Sequence, residues 1–214
     1  MFFKRNQIEE AILRTLGIKD DARSRDLKLK IKRLLVTDRR LGRGKGSSNR
    51  ADGGYAFYTR KPRGSGVEVM FSNYEAFAVL AALIVLEHGI PQAKVVSILR
   101  AVRSDLEIAH RETLRKDRRE LFDPKGVQAT ARPGMIAVDN TAPVFLAFVK
   151  LDARGGRVHA YISVCRGLFE LSSFLNKYAV PGSGATHFEF VSLMRDLATN
   201  LSQTRPISRG RSTV

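Results

Sequence analysis

Residues 67–100 read VEVMFSNYEAFAVLAALIVLEHGIPQAKVVSILR, and the order of signals in this stretch decides the fold. VEVMF is a β-rich run, Ser72 stands three residues before Glu75 as a capping box, and residues 74–87 are then apolar on nearly every side. A helix without a polar face must be covered all round. Gly89 is suited to end that helix and Pro91 to restart the chain, so a fourth helix is expected over residues 92–116. Along it Val95, Leu99, Val102, Leu106, Ala109 and Thr113 recur at alternating spacings of four and three. Two readings of this seam stand side by side: pairing with a second copy, or packing on the chain's own domain.

Working back toward the N-terminus, residues 7–16 place Ile8, Ala11, Ile12 and Leu16 on one helical face and stop at Gly17. After a turn, Ser24 is a candidate cap for a second helix through residue 40, with Leu27, Ile31, Leu34 and Leu41 on one side. Arg25, Lys28, Lys32 and Arg39 gather on the opposite side, flanked by Arg33 and Arg40. Asp26 and Asp38 are the only acids there, a scarcity that favours phosphate contact over decoration by salt bridges. Residues 41–54, LGRGKGSSNRADGG, form a loop carrying Arg43, Lys45 and Arg50. It lacks the spacing of a nucleotide-binding loop, so backbone contact to a polyanion is the better expectation. Residues 55–61 and 67–71 then predict a hairpin, a wing, with Arg60, Lys61 and Arg63 at its tip. Its alternative is an ordinary surface ribbon.

Helix, turn, basic helix and basic hairpin, followed by Val69 to Ser72, the apolar run from Phe77 to Leu86, His88-Gly89-Ile90-Pro91 and Ile98-Leu99-Arg100, resembles the DNA-binding region of MerR-type transcriptional regulators. The resemblance covers about residues 7–117 and leaves the C-terminal third unmatched. It implies a homodimer joined by antiparallel long helices and reading a palindromic site in double-stranded DNA.

Charge placement agrees with that order. The 214 residues carry 37 Lys and Arg against 21 Asp and Glu, a net charge of +16. Residues 1–66 hold 18 basic and 7 acidic side chains, net +11, residues 67–120 are neutral, and residues 121–214 hold net +5. Most of the excess therefore lies on the proposed reader, and a polyanion is the first partner to consider. With 43% hydrophobic residues the chain has the means to fill a core. One cysteine, Cys165, excludes an internal disulfide and a Cys-rich zinc site. No stretch has the length or apolarity of a membrane span, and the first ten residues lack a signal peptide's apolar core. A cytoplasmic, nucleoid-associated protein is expected.

Beyond residue 121, residues 144–151 and 158–164 predict a second hairpin, and helices are expected over residues 168–178 and 186–203. Prolines and glycines mark residues 121–143 as a linker, and residues 206–214 as a disordered basic tail. The four histidines show no metal-ligand spacing, and Cys165 has no histidine near it in sequence, so neither a metal nor a catalytic role is expected. The whole is an α+β chain: a winged helix-turn-helix over residues 1–90, a dimerisation helix over 91–120 using Val95, Leu99, Val102, Leu106 and Ala109, the linker, and a small α+β domain over 144–205. The expected function is a sequence-specific DNA-binding regulator without cofactor, acting as a homodimer, with an unidentified ligand or protein partner possible at the C-terminal unit. The alternative is an RNA-binding or architectural protein that stacks bases on Tyr55, Phe57 and Tyr58.

Overall fold

A computed structural model describes residues 1–41, 54–59, 69–131, 136, 138–152 and 158–206, with the side chains of 130, 151, 152, 158 and 159 left out. The fold is α+β, mostly helical, with two small sheets. The chain divides into two compact units, one of Met1–Ala101 joined by the chain's end from Asp196, the other of Val102–Arg195. Among the described residues no helix is long and apolar enough to cross a membrane.

In the first unit, strand β1 (Phe2–Lys4) runs into helix α1 (Arg5–Thr15), which buries Ile8, Ala11 and Ile12. Gly17, at φ 64°, closes α1 in a Schellman turn: Ile18 N–H donates to the Leu13 carbonyl at 2.9 Å and Gly17 N–H to that of Arg14 at 3.1 Å. Helix α2 (Asp21–Leu41) starts three residues before Ser24, because Asp20 takes the capping role and accepts from Arg23 N–H at 2.7 Å. Strand β2 (Met70–Ser72) leads into α3 (Asn73–Glu87), and the capping box is formed: Ser72 Oγ accepts from Glu75 N–H while the Glu75 carboxylate accepts from Ser72 N–H. Helix α4 (Gln92–Ala101) follows Pro91, and α2, α3 and α4 pack on one another. That packing supplies the cover α3 needs: its residues from Tyr74 to Leu83 are all buried.

Of the hairpin expected from residues 55–61 and 67–71, residues 60–68 lie outside the described residues, and the described residues 55–59 and 69–71 do not pair with each other. Strand β2 instead pairs antiparallel with β1, Phe3 opposite Phe71, both nearly fully buried. Residues 55–59 form no strand, and Tyr55, Ala56, Phe57 and Tyr58 all enter the core rather than alternating in and out. Two of their backbone N–H groups, those of Ala56 and Phe57, are already taken by the Asp38 carboxylate and are withheld from a ladder. The tip residues Arg60, Lys61 and Arg63 lie outside the described residues.

The long helix expected over residues 92–116 is two helices, α4 and α5 (Arg103–Arg115), separated at Val102, whose φ of −98° and ψ of 4° interrupt the helical ladder. Val95, Leu99, Val102, Leu106 and Ala109 are each at most 5% exposed in the single chain. The seam is filled by the chain itself, so it offers no face to a second copy; the periodicity reports internal packing.

In the second unit, α6 (Arg118–Leu121) and α7 (Pro124–Thr130) begin at the caps Asp117 and Asp123. Pro124 is the first residue of a helix here, not a linker breaker. Thr141 N–H donates to the Leu121 carbonyl at 2.8 Å, Asn140 Nδ2 donates to Glu189 at 3.1 Å and Ser192 Oγ to Asp139 at 2.8 Å, so residues 121–143 belong to this unit and link nothing. Strands β3 (Val144–Asp152) and β4 (Val158–Arg166) form the expected hairpin, and α8 (Leu168–Tyr178) follows as expected. Residues 186–189 depart from the helix expected over residues 186–203. They belong to β5 (Gly184–Glu189), antiparallel to β3, and helix α9 (Val191–Gln203) starts only after it. The sheet order is β4-β3-β5, with Phe145, Ala147, Val149, Cys165, Leu171 and Phe174 as the core between sheet and α8.

Candidate nucleic-acid interface

The outer face of α2 gathers most of the cations the sequence singles out. Arg25, Lys28, Lys32, Arg33, Arg39 and Arg40 are all exposed along it, while Leu27, Ile31, Leu34 and Leu35 hold the inner face in the core. Between them Leu29 and Val36 stand 43% and 36% exposed, which puts two apolar side chains in the middle of a cationic stripe. Asp26, the exposed acid of this helix near the stripe, is bound by Lys30 at 2.8 Å, and Lys30 also reaches Glu87 of α3 at 2.6 Å. These hydrogen bonds, Asp26 first, raise the Lys30 ammonium above its ordinary value. Asp26 is therefore spoken for. Among the described residues no carboxylate pairs with Arg25, Lys28, Lys32, Arg33 or Arg40.

Arg39 differs from the other five. Its guanidinium sits over the Tyr58 ring, 5.4 Å from the centroid, and burial pushes the Tyr58 phenol above its ordinary value. This arginine packs the edge of the core as much as it faces solvent. Arg43, Lys45 and Arg50, like Arg60, Lys61 and Arg63, lie outside the described residues.

The sequence did not reveal the role of the groups that hold the stripe in place. Asp38, fully buried on α2, accepts from Ala56 N–H and Phe57 N–H at 3.0 Å each and from Arg100 Nε at 2.8 Å. Arg100 also donates to the Asp38 carbonyl and lies over the Tyr55 ring, 5.7 Å from its centroid. Gln92, at the start of α4, donates to the Arg33 carbonyl at 3.1 Å and to the Thr37 hydroxyl. Glu75 accepts from Thr59 Oγ1 at 2.8 Å as well as serving the α3 cap. Helix α4 and the segment of residues 55–59 are thereby pinned to the last turns of α2, and α3 is tied to that segment. The scarcity of acids in residues 24–40 was the available signal: one of only two had to be spent inside.

In the second unit, Cys165 is 2% exposed and its thiol is raised by burial, which suppresses the thiolate a nucleophile needs. His110, 4% exposed, is lowered to about 4 by burial and is neutral at physiological pH. No cluster of three or more His, Cys, Asp or Glu side chains able to hold a metal ion occurs among the described residues. No family model, curated protein or solved structure matches this chain.

Proposed function

We propose that this chain is a double-stranded DNA-binding transcriptional regulator that lays the outer face of α2 against the nucleic acid. The observation that carries the reading is the stripe of Arg25, Lys28, Lys32, Arg33 and Arg40, exposed on one rigid helix and not neutralised by a carboxylate among the described residues. An unneutralised row of cations on a helix suits phosphate contact and the release of counterions from DNA. Leu29 and Val36, exposed within the row, suit contact with thymine methyl groups in a major groove. The order of α1, a turn and the basic α2 supports a helix-turn-helix docking. Against an RNA reader stands the burial of Tyr55, Phe57 and Tyr58, the side chains that base stacking would use.

Action as a homodimer is part of the proposal, through a surface other than the buried seam of residues 95–109. Selection of bound fragments from genomic DNA tests both points. Recovery of a shared inverted repeat is the expected outcome, since it requires sequence reading and two-fold symmetry together. Recovery of unrelated fragments would overturn the regulator, and better binding of single-stranded RNA at raised salt would favour the alternative.

A further inference from the structure

The second unit contains a cavity of about 560 Å³ that neither α2 nor the proposed DNA contact uses. Its size is that of a small-molecule site. Helix α5 contributes Ala109, Glu112, Thr113 and Lys116 to its wall, and the end of β4 with the start of α8 contributes Arg166, Gly167 and Leu168. Three features of this wall converge on an anion. Lys116 and Arg166 are exposed cations at its rim, and the one acid lining it, Glu112, is held by Arg166 at 3.2 Å. Helix α8, eleven residues long, opens at the wall from Gly167, whose φ of 87° places a residue without a side-chain cap there, so its first-turn amides keep their donors. Thr113 is 3% exposed, and no hydrogen bond engages its hydroxyl among the described residues although it lines the cavity. On a residue otherwise buried, this hydroxyl is a donor open to a ligand's acceptor. Apart from Asn140 and Thr141, the remaining wall, including Ala109, Val138, Val144 and Leu168, carries no polar side chain.

We propose that this cavity binds a small organic acid, its apolar body against Ala109, Val144 and Leu168 and its anionic head toward Lys116, Arg166, the Thr113 hydroxyl and the first turn of α8. The inference is independent of the DNA reading, since every lining residue lies in the second unit and α2 lies in the first. A ligand head would compete with Glu112 for Arg166, so Glu112 acts as a weak internal occupant.

Two fluorescent probes share an aryl body and differ in the charged head: anilinonaphthalene sulfonate and the uncharged phenylnaphthylamine. Titrated against the full chain, the sulfonate should bind saturably and at least about tenfold more tightly than the neutral probe, the order of one charge-assisted contact. A Lys116→Gln and Arg166→Gln double variant should lose that preference while its affinity for phenylnaphthylamine stays unchanged, and Thr113→Val should weaken the sulfonate alone. Glu112→Gln keeps both cations and removes their competitor, so it should tighten the sulfonate; this variant decides the matter if the double variant does not fold. Equal affinities for the two probes, a folded double variant that loses both together, or no tightening in Glu112→Gln would overturn the proposal. DNA binding by these variants is a separate measurement, and its loss or retention bears only on α2.

Discussion

Asp38 is the residue on which the first unit turns. Its carboxylate is fully buried and accepts two backbone N–H groups and the Arg100 guanidinium, so removing it leaves two backbone donors and a cation in the core without their acceptor. Breaking a buried pair from one side costs about 3–5 kcal/mol. Asp38→Ala should therefore shift the urea midpoint by most of the stability of a small unit, and Arg100→Met added to it should restore part of the loss by withdrawing the orphaned charge. No recovery in the double variant would mean that the backbone donors, not the ion pair, dominate. His110 supplies a different residue-scale expectation. Buried in the fold and lowered to about 4 from an ordinary 6.5, it refuses a proton that the unfolded chain accepts. Between those values the unfolded state binds more protons, so stability falls as pH drops through that window, by at most roughly 3 kcal/mol. Urea unfolding at neutral pH and at about pH 4.5 should show a smaller acid loss in His110→Gln than in the native chain. An unchanged acid loss would place the titration elsewhere.

At the scale of elements, α2 is the one whose outward face and inward face serve different ends, and each can be altered alone. Replacing Lys28, Lys32 and Arg33 by alanine touches exposed positions and places the best helix former there, so unfolding should be nearly unchanged. If all three contact phosphates, the slope of log K against log salt on duplex DNA should fall by about three. Native-like binding by this variant would remove α2 from the interface. Ser72 offers a cap test on α3: Ser72→Ala removes the acceptor for Glu75 N–H and should cost about 1 kcal/mol in urea unfolding. The same comparison shows what made elements legible. The α3 cap, the Gly89 stop and the β3–β4 hairpin were readable because local residues alone satisfy their backbone groups. Residues 55–58 misled because their aromatic, β-prone character reflects burial, and their partner, Asp38, is far away in sequence. Residues 186–189 misled in the other direction: the apolar period of α9 is real from Val191 onward, but extending it backward to residue 186 hid the strand that pairs with β3. Val102 breaks a helix with neither proline nor glycine, so nothing local announces it.

For the whole molecule, the chain's division is the feature that a linear scan could not deliver, since one unit is built from both ends of the sequence. The closing segment is α9 beyond Asp196, whose Leu197 and Leu201 are each 1% exposed. Asn200 Nδ2 donates to Thr15 Oγ1 at 3.0 Å, and Gln7 Nε2 donates to the Thr204 carbonyl at 3.2 Å, so the two ends of α1 are both tied to the returning chain. Reading residues 121–143 as a linker followed from their prolines, but these residues are held by hydrogen bonds inside the second unit, and the crossing points are Val102 and Arg195 instead. A cavity at Leu201 should therefore be felt at the other end of the sequence. Leu201→Ala removes a buried side chain and should cost about 2–5 kcal/mol, borne by the first unit. If the units open separately, amide exchange in α1, at Ile8, Ala11 and Ile12, should accelerate by the corresponding factor while that of β3, around Phe145 and Ala147, stays at its native rate. Equal acceleration in α1 and β3 would show that the two units unfold as one cooperative block, and α2 would then depend for its population on the sheet as well as on its own bundle.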